Sequence, residues 1–231
     1  MYLLTETASP FALERWAAFF ANFGQFAKGF FYTLGISIGA LIVALLLGLI
    51  FGAMSSTHNK VLRGISRVYV EIFQNTPLLV QFVVVFYGIS ILTDGHIMIP
   101  ISLTAILCVG VYTGAYISEI IRTGIEAVPK GQTEAALSQG FTYADTMRII
   151  ILPQAVRTIL PPLTNQVVNL IKNTSTVAII SGADIMFTAK AWAYDTTNYV
   201  PAFAGAAFLY FIMCFPLASW ARRKEEENKK A

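Results

Sequence analysis

Residues 29–54 read GFFYTLGISIGALIVALLLGLIFGAM, a run without one charged side chain. A helix that crosses the hydrocarbon core of a bilayer needs about 20 largely apolar residues, so this stretch alone predicts a membrane span. Four more follow: Ile72–Thr93, Ile97–Ser118, Thr158–Ala183, interrupted only by Lys172, and Thr196–Ala221. Polar punctuation separates them at 55–60, 94–96, 119–157 and 184–195. The composition agrees. Of 231 residues, 56% are hydrophobic and 13% charged, against about 25% charged in soluble domains, and the mean hydropathy is +0.64. A soluble domain is excluded, and a net charge of +3 scattered among apolar runs excludes a nucleic-acid-binding surface.

Lysine and arginine set the orientation, because cytoplasmic loops retain positive charge. Lys60, Arg63, Arg67, Arg122, Lys130, Arg148, Arg157, Arg222, Arg223, Lys224, Lys229 and Lys230 fall on one side, with Arg15, Lys28 and Lys190 on the other. Five spans then place the N-terminus outside and the C-terminus in the cytoplasm. Residues 1–28 have no basic start, and the apolar run after them is too long for a signal-peptide core, so no cleaved leader is expected. Within them Phe11, Trp16, Phe19, Phe20, Phe23 and Phe26 alternate with Glu14, Arg15 and Gln25, the pattern of a helix lying along the outer leaflet; a plain extension of the first span is the competing reading. The predicted class is an all-α membrane protein: an N-terminal interfacial helix (1–28), a five-helix transmembrane domain (29–221) that includes the loop 119–157, and a cytoplasmic tail (222–231).

Gly35/Gly39, Gly48/Gly52 and Gly110/Gly114 stand four residues apart, which lets helix backbones approach closely. The spacing does not say whether the neighbour belongs to the same chain. Cys108 and Cys214 sit in apolar stretches without metal-ligand spacing and read as small buried hydrophobes. His58 and His96 stand alone, and no metal site is predicted.

The loop 119–157 is long for a protein whose other connections are short, and such loops are usually functional. Pro129-Lys130-Gly131 ends the preceding helix, Thr133 is placed to cap a short helix Glu134–Gln139, and Gly140 is placed as its left-handed stop. Thr142 with Asp145 predicts a second cap, and a helix from Tyr143 to Leu152 should end at Pro153. The product is a helix–turn–helix knob that offers Leu137, Phe141, Tyr143 and Met147 as a docking surface.

Glu134-Ala135-Ala136, Gly140 four residues after Ala136, Ile150 after nine more, and Leu152-Pro153 together resemble the signature of the membrane-spanning permease subunits of bacterial ATP-binding-cassette importers. Flanking residues resemble the polar amino acid branch: Thr76-Pro77-Leu78-Leu79-Val80-Gln81, Gln154-Ala155, Pro161-Pro162, Asn165 and Lys172-Asn173-Thr174-Ser175. The resemblance covers about 29–222 and implies a type I importer permease. It implies that Glu134, Ala135, Ala136, Leu137, Gly140 and Phe141 seat in a groove of an ATPase subunit. It also implies two such ATPases, a second permease chain, identical or homologous, an extracellular or periplasmic amino-acid-binding protein, and residence in the bacterial plasma (inner) membrane. No Gly-x-x-x-x-Gly-Lys-[Ser/Thr] phosphate loop is present, so ATP and Mg would be bound by the partner ATPase and no cofactor by this chain. The chain has Gln74 where members often have Arg and Asn173 where many have Asp, and both departures bear on substrate.

Lys172 lies within an apolar stretch, and a lysine at mid-membrane costs about 3 kcal/mol, so it should face the bundle interior with a partner. Asn165, Asn169, Lys172 and Ser175 fall near one helix face, with Asn173 beside them. One use is to hold the α-carboxylate of an amino acid in the pathway; the other is structural pairing with backbone carbonyls or a partner chain's carboxylate. A site with Asn173 in place of Asp is more positive, which favours glutamate/aspartate or glutamine, with another polar amino acid as the alternative within the family. Thr76 and Pro77 interrupt the second span and predict a kink that suits a gate and equally suits packing alone.

Two other classes fit the sequence less well. An intramembrane enzyme needs a nucleophile and a base at one depth, and Ser37 and Ser175 have no membrane His or Asp beside them in sequence; no catalytic residue is predicted. A homo-oligomeric channel with a ring of Lys172 leaves the knob without a purpose.

Overall fold

The computed structural model describes Ser9 and residues 11–230, with side chains as far as Arg223. It is helical throughout, without a strand among the described residues. Leu13–Ala21 forms α1, Phe23–Ser55 α2 and Lys60–Gln74 α3. Leu78–Leu92 forms α4, with a π turn at Val84–Gly88. Next come α5 (Ile101–Glu126), α6 (Lys130–Ser138) and α7 (Tyr143–Asp145). A π segment, Thr146–Ile151, leads into α8 (Leu152–Asn173), which tightens into the 3-10 turns Thr174–Ile180 before α9 (Ile185–Thr196) and α10 (Tyr199–Lys230).

The buried face of α2 carries a stripe of small residues at three- and four-residue steps, Gly29, Thr33, Ser37, Ala40, Ala44, Gly48 and Gly52, with Phe26 and Ile36 buried beside it. Helix α5 lies along this stripe in parallel, not antiparallel. A Cβ at Gly48 would stand 2.4 Å from Ile117 Cγ2, one at Gly52 2.8 Å from Ile121 Cβ, and one at Gly110 2.7 Å from Val43 Cβ. For Gly39, Gly48, Gly52, Gly110 and Gly114 the neighbour left open by the glycine spacing is therefore the same chain, whereas Gly35 is exposed with nothing near it. Because α2 and α5 run parallel, the intervening α3–α4 unit must carry the chain back, and a first core gathers around it. Leu78 and Phe82 pack there with Ala105, Cys108, Val109, Val177 and Ile180.

The expected second span, Ile72–Thr93, is not one helix. Its α-helix stops at Gln74, Pro77 supplies the cap of the next, and the two arms meet at 97°. Thr76 Oγ1 donates to Ile72 O (2.8 Å), while the Gln81 amide reaches Thr76 Oγ1 (2.8 Å), Thr76 O (3.2 Å) and Phe73 O (3.3 Å). These bonds satisfy carbonyls that the broken helix leaves free, and they turn a kink into a corner.

Among the described residues three helices are long and apolar enough to cross a membrane, Phe23–Ser55, Ile101–Glu126 and Tyr199–Arg223, or four if the bent pair is counted as one broken span. The expected span Thr158–Ala183 falls outside that set. Its α-helix starts at Leu152 and ends at Asn173, and Arg157, Asn165, Gln166, Asn169 and Lys172 keep it polar. The polar break 184–195 is in fact helix α9, whose Ile185, Ala189 and Trp192 are buried. They join Phe19, Phe26, Ala202 and Ala206 in a second core.

Helix α1 is docked on protein along one side. Phe19 fills a notch over Gly205, where a Cβ would stand 2.3 Å from its Cζ, and lies edge-on to Trp192 at 6.0 Å. Arg15 Nη1 donates to Thr197 O (3.0 Å) and Asn198 Oδ1 (3.1 Å), so the start of α2 and the start of α10 share one end of the bundle. Phe11 and Phe20 remain exposed on the other side. Residues 1–8 and 10 of the expected interfacial helix, and the side chains of the tail from 224, lie outside the described residues. Cys108 is buried in the first core, and Cys214 is half-buried beside the second.

Candidate functional site

At the end of the bundle opposite α1, α5 stops at Glu126 and the chain turns into the knob. Helix α6 begins at Lys130, behind Pro129 in extended geometry, rather than at Glu134; Thr133 is inside the helix and caps nothing. The stop is as expected. Gly140 has φ +90°, Phe141 N–H reaches back to Ala136 O (3.2 Å) and Gly140 N–H to Leu137 O (3.0 Å), a Schellman-type closure. Thr142 Oγ1 accepts from Asp145 N–H (3.2 Å), and its hydroxyl donates to Asp145 Oδ2 (2.6 Å), as a second cap requires. Leu137, Phe141 and Tyr143 are exposed, and so are Glu134 and Ala135. Ala136 is buried, and Met147 turns inward onto the cluster of Val128, Ile151 and Ala155. Met147 therefore leaves the expected docking surface. His58, in the α2–α3 connection, lies 5.2 Å from the Tyr143 ring.

Pro153 does not end the second knob helix. The wider π turn before it gives its ring room, the Gln154 amide donates to the Ile150 carbonyl (2.8 Å), and the helix continues as α8. One unbroken helical run thus leads from the knob toward Lys172.

On α8 the residues Asn165, Asn169 and Lys172 are exposed along one face, while Asn173 and Ser175 are half-buried. They do not all converge. Asn169 Nδ2 contacts Gln166 Oε1 at 3.4 Å, and Asn165, Asn169 and Asn173 do not line the cavity that Lys172 and Ser175 share. That cavity, of about 280 Å³, is walled by Met186, Phe203, Ala206, Ala207 and Tyr210. Its character is one ammonium and two hydroxyls on apolar walls. Among the described residues no carboxylate lies within 4 Å of Lys172, so the charge is available to an anionic group entering from outside the chain.

Behind the cavity stands a group the sequence reading passed over. Asp184 is fully buried and caps α9 by accepting from Met186 N–H (3.1 Å) and Phe187 N–H (2.9 Å), and Tyr210 donates to it across 2.9 Å. Thr33 Oγ1 accepts from Ile185 N–H (3.1 Å) and ties the same corner to α2. The signal is present in sequence, since an Asp directly before an apolar run is an N-cap pattern, although the polar residues 184–195 around it read as loop punctuation.

Nearer the knob, Glu119 and Arg122 form a two-bond pair, with Arg122 Nε to Glu119 Oε2 at 2.9 Å, and Arg122 Nη1 meets Glu126 Oε2 at 2.5 Å. These groups and the polar side of α3 border a cavity of about 730 Å³.

Comparison with known proteins follows the same lines. Residues 44–225 match the family described as binding-protein-dependent transport system inner membrane component. The chain is 36% identical over 215 residues to the probable glutamine ABC transporter permease protein GlnM of Bacillus subtilis (strain 168), covering 92% of this chain and 97% of that one. It is 34% identical over 208 residues to the glutamate/aspartate import permease protein GltJ of Escherichia coli (strain K12), covering 82% and 85%. A solved amino acid ABC transporter with histidines superimposes with a TM-score of 0.84 at 31% identity, over 92% of this chain and 98% of the other.

Proposed function

The chain belongs to the family of binding-protein-dependent transport system inner membrane components, and from that membership we propose how it serves as the permease subunit of an amino acid ABC importer. Relatives named for glutamine and for glutamate/aspartate support a substrate among these polar amino acids. In this reading the exposed knob residues Glu134, Ala135, Leu137, Gly140 and Phe141 dock on ATPase subunits, two to a complex, which bind ATP and Mg, while the expected contact Ala136 is buried and seats the helix from within. A second permease chain completes the path, and a binding protein delivers substrate from outside. The N-terminus lies outside and the tail in the cytoplasm, in keeping with the basic residues gathered at the knob end.

The observation that carries the pathway is Lys172, an ammonium lining a cavity with no carboxylate within 4 Å of it among the described residues. It holds the α-carboxylate of the passing amino acid, with Ser175 beside it and with Asn165, Asn169 and Asn173 continuing the polar track along α8. Thr76 and Pro77 mark the corner at which the path is gated. A charge-assisted contact is worth roughly 1.5–3 kcal/mol, so Lys172→Met should reduce uptake by about 10- to 150-fold in proteoliposomes with saturating binding protein. Assembly with the ATPase and basal hydrolysis should survive. Uptake equal to the unaltered chain would remove Lys172 from the path; loss of assembly would make it an interface residue.

A further inference from the structure

The polar side of α3 matches neither the coupling loop nor the Lys172 cavity. Its fifteen residues divide into three sectors. Ser66 and Tyr69 are buried against the bundle, where Ser66 Oγ donates to Phe51 O (2.7 Å) and Tyr69 OH to Val111 O (2.7 Å). Val61, Ile65, Val68 and Ile72, at helical spacing on a second sector, are 69%, 50%, 59% and 52% exposed. Lys60, Arg63 and Arg67 occupy the third and border the 730 Å³ cavity between α3 and α5.

Charge on that cavity is unevenly neutralised. Arg122 is held by Glu119 and Glu126, whereas Arg67 has only Glu71, at 3.6 Å on an exposed pair. Lys60 and Arg63 have no carboxylate within 4 Å among the described residues. The helix meets α4 at 97°, and α4 runs along the membrane-crossing α5, so α3 lies close to the plane of the bilayer. It does so at the level of Phe51 and Ala115, toward the knob end.

We propose that α3 is an interfacial helix that binds an anionic phospholipid of the knob-side leaflet, with the phosphate on Lys60, Arg63 and Arg67 and the acyl chains along Val61, Ile65, Val68 and Ile72. A lipid answers both exposed sectors at once, since apolar and cationic side chains flank each other on one helix lying in the interface. A soluble anion would leave the apolar sector bare. A protein partner would cover it but would have to bring its own anion to the cavity.

The test uses the permease purified with its native partners in nanodiscs. A bimane is attached at Val68→Cys in a Cys214→Ser background, and quenching by nitroxide-bearing phosphatidylglycerol is compared with that by nitroxide-bearing phosphatidylcholine. Phosphatidylglycerol should quench preferentially. The preference should fall about fivefold for each charge removed by Lys60→Gln and Arg63→Gln, and Arg63→Lys should keep it. In the chain with Lys60, Arg63 and Arg67 intact, raising the salt concentration should weaken it as well, a readout that needs no charge substitution. Equal quenching by the two lipids would overturn the anionic site. Absence of quenching by either would show the face covered by protein and overturn the proposal entirely.

Discussion

The Tyr210 hydroxyl lies 2.9 Å from Asp184 Oδ2 and donates to it, joining the middle of α10 to the cap of α9. With Met186 and Phe187 N–H on the same carboxylate, three donors satisfy a group that has no access to solvent. Tyr210 also walls the Lys172 cavity, so the capped corner fixes one side of that cavity.

Tyr210→Phe removes one donor of three and should lower stability by about 1 kcal/mol. Asp184→Ala removes the acceptor and the helix cap together and should cost more, roughly 1–3 kcal/mol. Thermal unfolding of the detergent-solubilised complex measures both. The double variant should lose less than the two single losses combined, because the shared bond is counted twice; simple additivity would mean that the bond contributes nothing.

Gly140→Val places a β-branched residue at φ +90°, a backbone region costing L-residues roughly 1–2 kcal/mol or more. The knob should distort while the spans still insert. Binding-protein-stimulated ATP hydrolysis and uptake are expected to fall together, with basal hydrolysis retained; coupled transport at the original rate would separate the cap from coupling.

Cysteines at Asn198 and Ser138 test orientation. The Thr197–Asn198 turn is tied to Arg15 at one end of the bundle, and Ser138 closes α6 at the other. An impermeant thiol reagent added to whole cells should modify the first and should reach the second only after the membrane is opened. The reverse pattern would invert the chain.

Gly48→Leu should break the α2–α5 contact, because even its Cβ would meet Ile117 Cγ2 at 2.4 Å. Overpacking of this kind costs about 1–3 kcal/mol. Adding Ile117→Ala vacates the space and should recover part of the yield of monodisperse protein on gel filtration. No recovery would place the fault elsewhere than at this contact.

The features legible in sequence are those written by neighbours along the chain. Uninterrupted apolar runs fixed α2, α5 and α10, and the Gly140 stop and Thr142 cap follow from residues within three or four positions. The misreadings need distant partners. The corner at 75–77 looks like a kink until the Gln81 amide is seen to donate to its free carbonyls. Asp184 reads as loop until Tyr210, 26 residues on, is found beside it. Pro153 signals a helix end by local rule, and only the π segment before it lets the helix continue. At the candidate site, the Gly140 stop and the Thr142 cap of the knob were legible in sequence, but its start at Lys130 and its continuation through Pro153 were not, and the walls of the Lys172 cavity come from α9 and α10 and could not be assembled from one helix's periodicity.

The parallel pairing of α2 with α5 also dictates an order of events at the ribosome. Ile117 is made 69 residues after the Gly48 it covers. At about 5–20 residues per second, the glycine groove waits roughly 3–14 s for its lid. A helix satisfies its own backbone and can wait in lipid, so the pair is assembled from two segments already inserted and cannot enter the bilayer as a preformed hairpin.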